Sequence, residues 1–184
     1  MGQFLAIGIK TDIFVQKDRE SKNLKLEDIT SKMTSEWNFD ASLYDFSENE
    51  KSWKWKLKET LFDDDFLAFL KVFYAEVYAN RNTDEEEVIQ KLSDSPAADW
   101  LTIASDKSFE AFQKDNYCES DYLRFMDKDF RPTVTIDFQT IILAMAGKIM
   151  IESSGGLFHF FEKMIDRNFS NFKISKAIKV YITG

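Results

Sequence analysis

The segment Trp53–Lys58 alternates without a break between a large apolar residue and a lysine. Successive side chains of a strand point to opposite faces, so this order predicts a strand with one apolar face and one row of ammonium groups. Leu43–Ser47 predicts a partner strand and residues 48–51 predict a polar turn, so Leu43–Lys58 should form a β-hairpin. The lysine row is typical of a solvated sheet face or a protected edge; a contact surface for an acidic ligand is the alternative.

Strands are also predicted at both ends of the chain. Phe4–Val15 is a nearly continuous apolar run, which is typical of a strand covered on both faces. Gly8 within it indicates a bulge or a point of close approach. At the other end, Ile178, Val180 and Ile182 alternate with their neighbours and predict a closing strand.

The last third of the chain contains further strand patterns. Residues 133–138 alternate just after Pro132 and predict one strand, while Phe109–Phe112 and Asp121–Met126 predict two more, separated by a turn at Lys114–Asn116. Residues 141–145 and 149–152 flank a turn that contains glycine and predict a hairpin. A helix over residues 140–146 is the alternative, because a short apolar run does not fix its own period.

Helical periodicity occurs in the remaining segments. Leu26, Ile29, Met33 and Trp37 follow at spacings of three and four and predict an amphipathic helix. A helix over residues 66–78, opened by three aspartates, has apolar positions on more than one stripe and should be buried on most sides. Capping signals at residues 83 and 95 predict two more helices, and residues 157–169 predict the last.

This order of elements predicts the fold class. Strands lie at both ends, helices occupy the middle third and a β-meander follows, which favours an α+β domain over a regularly alternating parallel one. We expect a mainly antiparallel sheet with the helices packed on it. A length of 184 residues fits one domain covering 1–184.

Charge and cysteine content narrow the classes of function. The net charge of −8 disfavours nucleic-acid backbones and membrane surfaces, and it favours a basic protein partner. The single cysteine, Cys118, the absence of an evident leader and the lack of a long apolar run predict a cytoplasmic protein. One cysteine and one histidine cannot supply the usual zinc ligands, so we expect no metal and no cofactor.

His159 is the first candidate for a binding site, because histidine is the residue type best suited to acid–base work near neutral pH. Helical spacing places it on one face with Glu162, Lys163 and Asp166. The turn before it, Ser153, Ser154, Gly155 and Gly156, resembles a phosphate loop only weakly, and a tight strand-to-helix turn explains it equally well. Trp53 and Trp55 complete the candidate set, because tryptophan is enriched where binding energy concentrates.

Acidic runs at residues 63–65 and 84–87 are explained by helix capping and the helix dipole rather than by cation binding. No catalytic motif is recognisable, so no catalytic residues are assigned.

The sequence favours a non-catalytic binding protein, such as an acidic inhibitor or immunity-type protein for a basic partner. A carboxylate-dependent enzyme with a pocket near His159 is the alternative, and a homodimer is the third possibility. A concavity that gathers His159 with two carboxylates would favour the enzyme.

Overall fold

The computed structural model describes residues 3–17, 24–79, 116–123, 132–146 and 156–183. Short 3₁₀ turns at Ala41–Leu43, Glu59–Leu61 and Lys173–Ala177 precede a strand, a helix and a strand respectively. In chain order the strands and helices are β1 Gln3–Gln16, α1 Leu26–Trp37, β2 Tyr44–Glu48, β3 Ser52–Leu57, α2 Asp64–Ala79, β4 Asn116–Tyr122, β5 Thr133–Ala146, α3 Gly156–Phe169 and β6 Ile178–Thr183.

The six strands form one antiparallel sheet in the order β2-β3-β1-β5-β4, and β6 pairs with β1. Strand β5 runs along β1 over almost its whole length, so β3 and β6 must share the other edge of β1. Strand β3 pairs with residues 12–16 of β1 and β6 pairs with residues 4–9. The α+β class, the antiparallel sheet and the strands at both ends are therefore confirmed.

Strand β1 is the centre of the sheet. Every residue from Leu5 to Lys10 is buried, as the continuous apolar run predicted. The pairing with β5 shifts register between Ile7 and Gly8, where the backbone passes close to its neighbours. A Cβ atom at Gly8 would lie 2.9 Å from Cε1 of Tyr181 and 3.1 Å from the carbonyl oxygen of Gln139. The predicted bulge and close approach are both present.

The hairpin of β2 and β3 is also confirmed. Trp53, Trp55 and Leu57 are buried, while the lysines between them have partners within the chain. Lys54 Nζ lies 2.8 Å from Asp12 Oδ1, and Lys56 Nζ lies 2.8 Å from Glu59 Oε1. These contacts agree with a solvated sheet face.

Cross-strand register places one row of polar side chains across five strands. Directly paired residues share a face of the sheet, and each member of this row is exposed or partly exposed. From β2 to β4 the row is Asp45, Lys56, Asp12, Asp137 and Cys118. The sheet therefore has a polar face over this half of β1.

The helices bury the apolar stripes that the sequence indicated. Ile29 and Met33 of α1 are fully buried, and Phe39, which follows α1, meets Trp55 edge to face at 5.8 Å between ring centroids. Helix α2 packs on α3 through aromatic rings, with Phe73 and Phe169 at 4.9 Å. Helix α3 contacts β6, and α2 contacts β5. These contacts join the helices and the sheet into one hydrophobic core.

Three details differ from the sequence-based expectation. Strand β4 includes Asn116, so the assignment of Asn116 to a turn and the predicted strand start at Asp121 are wrong, while residues 114 and 115 lie outside the described residues. Strand β5 continues to Ala146 and gains its hydrogen bonds from β1, so residues 141–145 are a strand as predicted, but one continuous with residues 133–138, and the alternative helix over residues 140–146 is wrong. In β6, Tyr181 is buried and Ile182 is 40% exposed, so the closing strand does not bury a single alternating face.

Several predicted elements lie outside the described residues. They are the helices that start at residues 83 and 95, the strand at Phe109–Phe112 and the second hairpin arm at residues 149–152.

Candidate functional site

A groove of about 820 Å³ lies between the end of α1, one face of α3 and the beginning of β6. On its sheet side the groove is lined by Lys10 of β1 and by Ile178, Lys179 and Val180 of β6. Trp37 and Phe158, both partly buried, contribute aromatic surface to its wall. Its other charged lining residues are Glu36, His159, Glu162, Lys163, Asp166, Lys176 and Lys179.

The α1 side of the groove is shaped by the way that helix ends. Asn38 adopts a left-handed conformation with φ of 50°, which asparagine tolerates better than most residues. The N–H of Phe39 then donates to the carbonyl of Met33 at 3.4 Å and closes the helix. Phe39 enters the core, while residues 34–38 remain beside the groove.

The α3 side comes from the amphipathic pattern of that helix. Phe161, Met164 and Phe169 are buried, so the opposite face of α3 is left to the groove. The His159 side chain is 65% exposed, and its Nδ1 atom lies 3.7 Å from Glu162 Oε2. The polar face predicted from the spacing of these residues is present, and it forms the rim of the groove.

Lys10 is the most unusual residue of the groove. It is only 4% exposed, and no described carboxylate forms an ion pair with its ammonium group. Burial, and secondarily the nearby charge of Lys179, lowers the pKa of Lys10 to about 8. Burying a cation without a counter-ion is costly, and this cost favours the neutral form of the Lys10 amine.

Lys176 differs from Lys10 because its charge is already compensated. Its Nζ atom donates to Asp40 Oδ2 at 2.9 Å. Asp40 also accepts hydrogen bonds from the backbone N–H and the hydroxyl of Ser42, at 3.1 and 2.6 Å. The hydrogen bond from Ser42 and then that from Lys176 lower the pKa of Asp40 to about 2. This pair ties the chain before β2 to the turn before β6.

The groove therefore carries positive charge on its sheet side and charges of both signs along its rim. Lys10 and Lys179 supply positive charge at the sheet, and the carboxylates of Glu162 and Asp166 lie on α3. His159, Glu162 and Asp166 line one concavity, an arrangement that the enzyme alternative expects, and the enzyme itself stays a prediction. The sequence reasoning missed Lys10, although a lysine inside a strand predicted to be covered on both faces was the available signal.

The predicted site residues are not all brought together. His159 and the groove coincide, and Gly156 is the first residue of α3. Ser153, Ser154 and Gly155 lie outside the described residues. Trp53 and Trp55 are 5% and 3% exposed and do not line the groove, so their role in binding stays a prediction.

A second, smaller recess lies on the polar face of the sheet, with a volume of about 390 Å³. Its lining is Thr11, Asp12, Tyr117, Cys118 and Asp137. Burial raises the pKa of the Cys118 thiol, and a hydrogen bond to Asp137 raises it further. A thiol held protonated in this way is a poor nucleophile.

Helix capping explains the one acidic run that the structure describes. Asp63 Oδ1 accepts a hydrogen bond of 2.8 Å from the N–H of Phe66, at the start of α2.

Within residues 3–17, 24–79, 116–123, 132–146 and 156–183, no group of three or more potential ligands could hold a metal ion. In the same ranges no helix is long and apolar enough to cross a membrane.

Comparisons with protein-family models, curated proteins and solved structures found no match for this chain.

Proposed function

We propose that this protein binds a small organic anion in the groove between α1, α3 and β6. The observation that carries the proposal is the side chain of Lys10, which is only 4% exposed, lines the groove and forms no ion pair with any described residue. A bound carboxylate would supply the missing counter-charge and recover part of the cost of burying that cation.

The charge of the groove favours an anion with a single negative charge. Lys10 and Lys179 are close enough for their charges to interact, and an anion placed between them relieves their repulsion. The rim carries Glu36, Glu162 and Asp166, which repel additional negative charge on a ligand. A monocarboxylate therefore suits the groove better than a polyphosphate.

The shape and lining of the groove favour a ligand with an apolar body. A volume of about 820 Å³ lies within the range of small-molecule sites, and a bare inorganic ion would leave most of it empty. Trp37 and Phe158 offer aromatic surface next to the lysines. An aryl-substituted carboxylate satisfies both features.

Calorimetric titration with phenyllactate tests the proposal, because this probe joins one carboxylate to one aromatic ring. We expect a Kd of about 1 mM or below, which corresponds to roughly 4 kcal/mol of binding free energy. The neutral amide of the same acid should bind at least about tenfold more weakly, because it cannot compensate Lys10. Affinity should also fall above pH 8, where Lys10 loses its charge.

Lys10→Met and Lys179→Met should each weaken phenyllactate binding by roughly tenfold or more. Lys51→Met is the matched control, because Lys51 is exposed in the turn between β2 and β3, away from the groove. Equal binding of acid and amide, or equal affinity of all the variants, would contradict an anion site at Lys10.

A basic protein partner, the expectation drawn from net charge, is the second proposal. The observation that favours it is the direct pairing of Asp12 with Asp137 on the polar face of the sheet. Like charges directly opposite each other repel; the ion pair of Lys54 with Asp12 offsets part of that repulsion, and an arginine side chain in the recess would offset the rest. This role would be carried out by the monomer or a homodimer in the cytoplasm.

Titration with a hexa-arginine peptide at low salt tests the second proposal. Asp12→Asn and Asp137→Asn should weaken binding, while Asp64→Asn, at the exposed start of α2, should not. Uniform affinity across the three variants would mean that the peptide reads overall charge rather than this face.

A further inference from the structure

We infer that Lys10 forms an imine with the carbonyl carbon of an α-oxo acid held in the groove. The inference rests on the proposed anion site, because the carboxylate of the substrate must first be bound there.

The arrangement of two amines suits this substrate class. In an α-oxo acid the carboxylate is bonded directly to the reacting carbonyl carbon, so one amine must hold the carboxylate while another attacks beside it. Lys10 and Lys179 both line the groove and are close enough to influence each other's charge. Lys179 is the more exposed of the two and can hold the carboxylate, which leaves the buried amine of Lys10 for the attack.

The protonation state of Lys10 supports the same assignment. An amine attacks a carbonyl only in its neutral form, and an ordinary lysine is about 0.1% neutral at pH 7.5. With its pKa at about 8, roughly a quarter of Lys10 is neutral at that pH before the substrate carboxylate binds. Burial and a neighbouring cation are the two ways in which nucleophilic lysines are activated, and both act on Lys10.

The reaction balances without a further reagent. The lone pair of Lys10 Nζ forms a bond to the carbonyl carbon, and the carbonyl oxygen takes up a proton to give a carbinolamine. Loss of that hydroxyl group as water, with one further proton, leaves a protonated imine. His159, Glu162 and Asp166 line the same groove and can exchange the protons that this dehydration needs.

Borohydride trapping with phenylpyruvate tests the inference. Reduction of the imine should increase the mass of the full chain by that of the oxo acid less one oxygen atom, and peptide mapping should locate the modification at Lys10. We expect the rate of modification at Lys10 to exceed that at any other lysine by about tenfold or more. Phenyllactate carries a hydroxyl in place of the ketone, so it should compete with trapping without being trapped.

Lys10→Met should lose the adduct, Lys179→Met should trap more slowly, and Lys51→Met should behave as the wild type. Far-UV circular dichroism checks the fold of each variant, and the wild-type peptide map gives the answer even if a variant fails to fold. Binding of phenyllactate without modification of Lys10, or modification spread evenly over exposed lysines, overturns the imine and leaves the anion site standing. If phenyllactate does not bind at all, the proposed function fails and the imine fails with it.

Discussion

The hydroxyl of Tyr44 donates a hydrogen bond of 3.2 Å to the carbonyl oxygen of Lys10, 34 residues earlier in the chain. This carbonyl lies on the stretch of β1 between the residues that pair with β3 and those that pair with β6. The Tyr44 side chain therefore satisfies a backbone group at the place where the edge of β1 changes partner. Burial, and secondarily the charge of Asp40, raises the pKa of Tyr44, so its hydroxyl remains a donor.

Tyr44→Phe should lower the free energy of unfolding by about 1–2 kcal/mol, because it leaves a buried carbonyl without this donor. Urea unfolding followed by circular dichroism measures the change. Ser47→Ala, at an exposed position of β2, is the control and should change stability by less than about 0.5 kcal/mol. If both variants were equally stable, water or another donor must serve the Lys10 carbonyl.

Gly8 lacks room for a side chain. Gly8→Ala would place a methyl group 2.9 Å from Cε1 of Tyr181, whose ring stacks on Phe138 at 4.4 Å. The Tyr181 hydroxyl is also held at 2.7 Å from the hydroxyl of Thr140, so the ring cannot move away freely. We expect a loss of about 1–3 kcal/mol in urea unfolding, typical of overpacking in a core. A loss below about 0.5 kcal/mol would show that the strand absorbs the methyl group by a small shift.

The fold was predictable where side-chain pattern decides the structure. The residues of a single strand or helix show which of its sides is buried, as the alternation at Trp53–Leu57 and the spacing of Ile29 and Met33 did. The start of β4 was not predictable in the same way. Cys118 and Ser120 lie on the solvated face of the sheet, so this strand carries no strong apolar alternation, and its pairing with β5 defines it.

The candidate site was predictable only in part. Helical spacing placed His159 beside Glu162, because both lie on the same helix. The meeting of Lys10 with Lys179 depends on the pairing of β1 with β6 across most of the chain, which no local pattern encodes. Such long-range register is set by the whole hydrophobic core.

Asp40 and Lys176 should stabilise the fold by a modest amount. A double-mutant cycle with Asp40→Asn and Lys176→Met should give a coupling energy of about 0.2–1 kcal/mol at pH 7, because Lys176 is 63% exposed and solvent screens the pair. The pKa of Asp40 is depressed to about 2, so its contribution is present above the ordinary carboxyl range and is lost as the pH falls through 2.

Urea unfolding of the four proteins at pH 7 and pH 2.5 measures this coupling and its decline. A coupling energy that stayed constant between the two pH values would mean that the carboxylate of Asp40 is not the group responsible.

Cys118 should react slowly with iodoacetamide at pH 8, because its raised pKa leaves little thiolate. Asp137→Asn removes the negative charge opposite Cys118 and should speed alkylation by about two- to fivefold. Glu162→Gln, on α3, is the control for a general change in net charge and should leave the rate unchanged. Faster alkylation in both variants would point to overall charge instead of the Asp137 contact.

Lys10 should make the free energy of unfolding increase with pH, which is the direction expected for a lysine whose pKa is lowered by folding. Its pKa is about 8 in the folded protein against an ordinary value of 10.5, so the unfolded chain binds more protons between these two pH values. The free energy of unfolding therefore rises with pH over this window, and below pH 8 the buried charge costs about 3 kcal/mol at most.

Lys10→Met removes that cost and should be more stable than the wild type at pH 7, with the advantage shrinking towards zero near pH 10.5. Urea unfolding of both proteins at pH 7, 8, 9 and 10 measures the difference, in which groups common to both largely cancel. The charged and titratable groups that face Lys10 across the groove are Glu36, His159, Glu162, Lys163, Asp166, Lys176 and Lys179. A difference independent of pH would mean that Lys10 keeps an ordinary pKa. Its amine would then be almost wholly protonated at neutral pH, which would contradict a nucleophilic role.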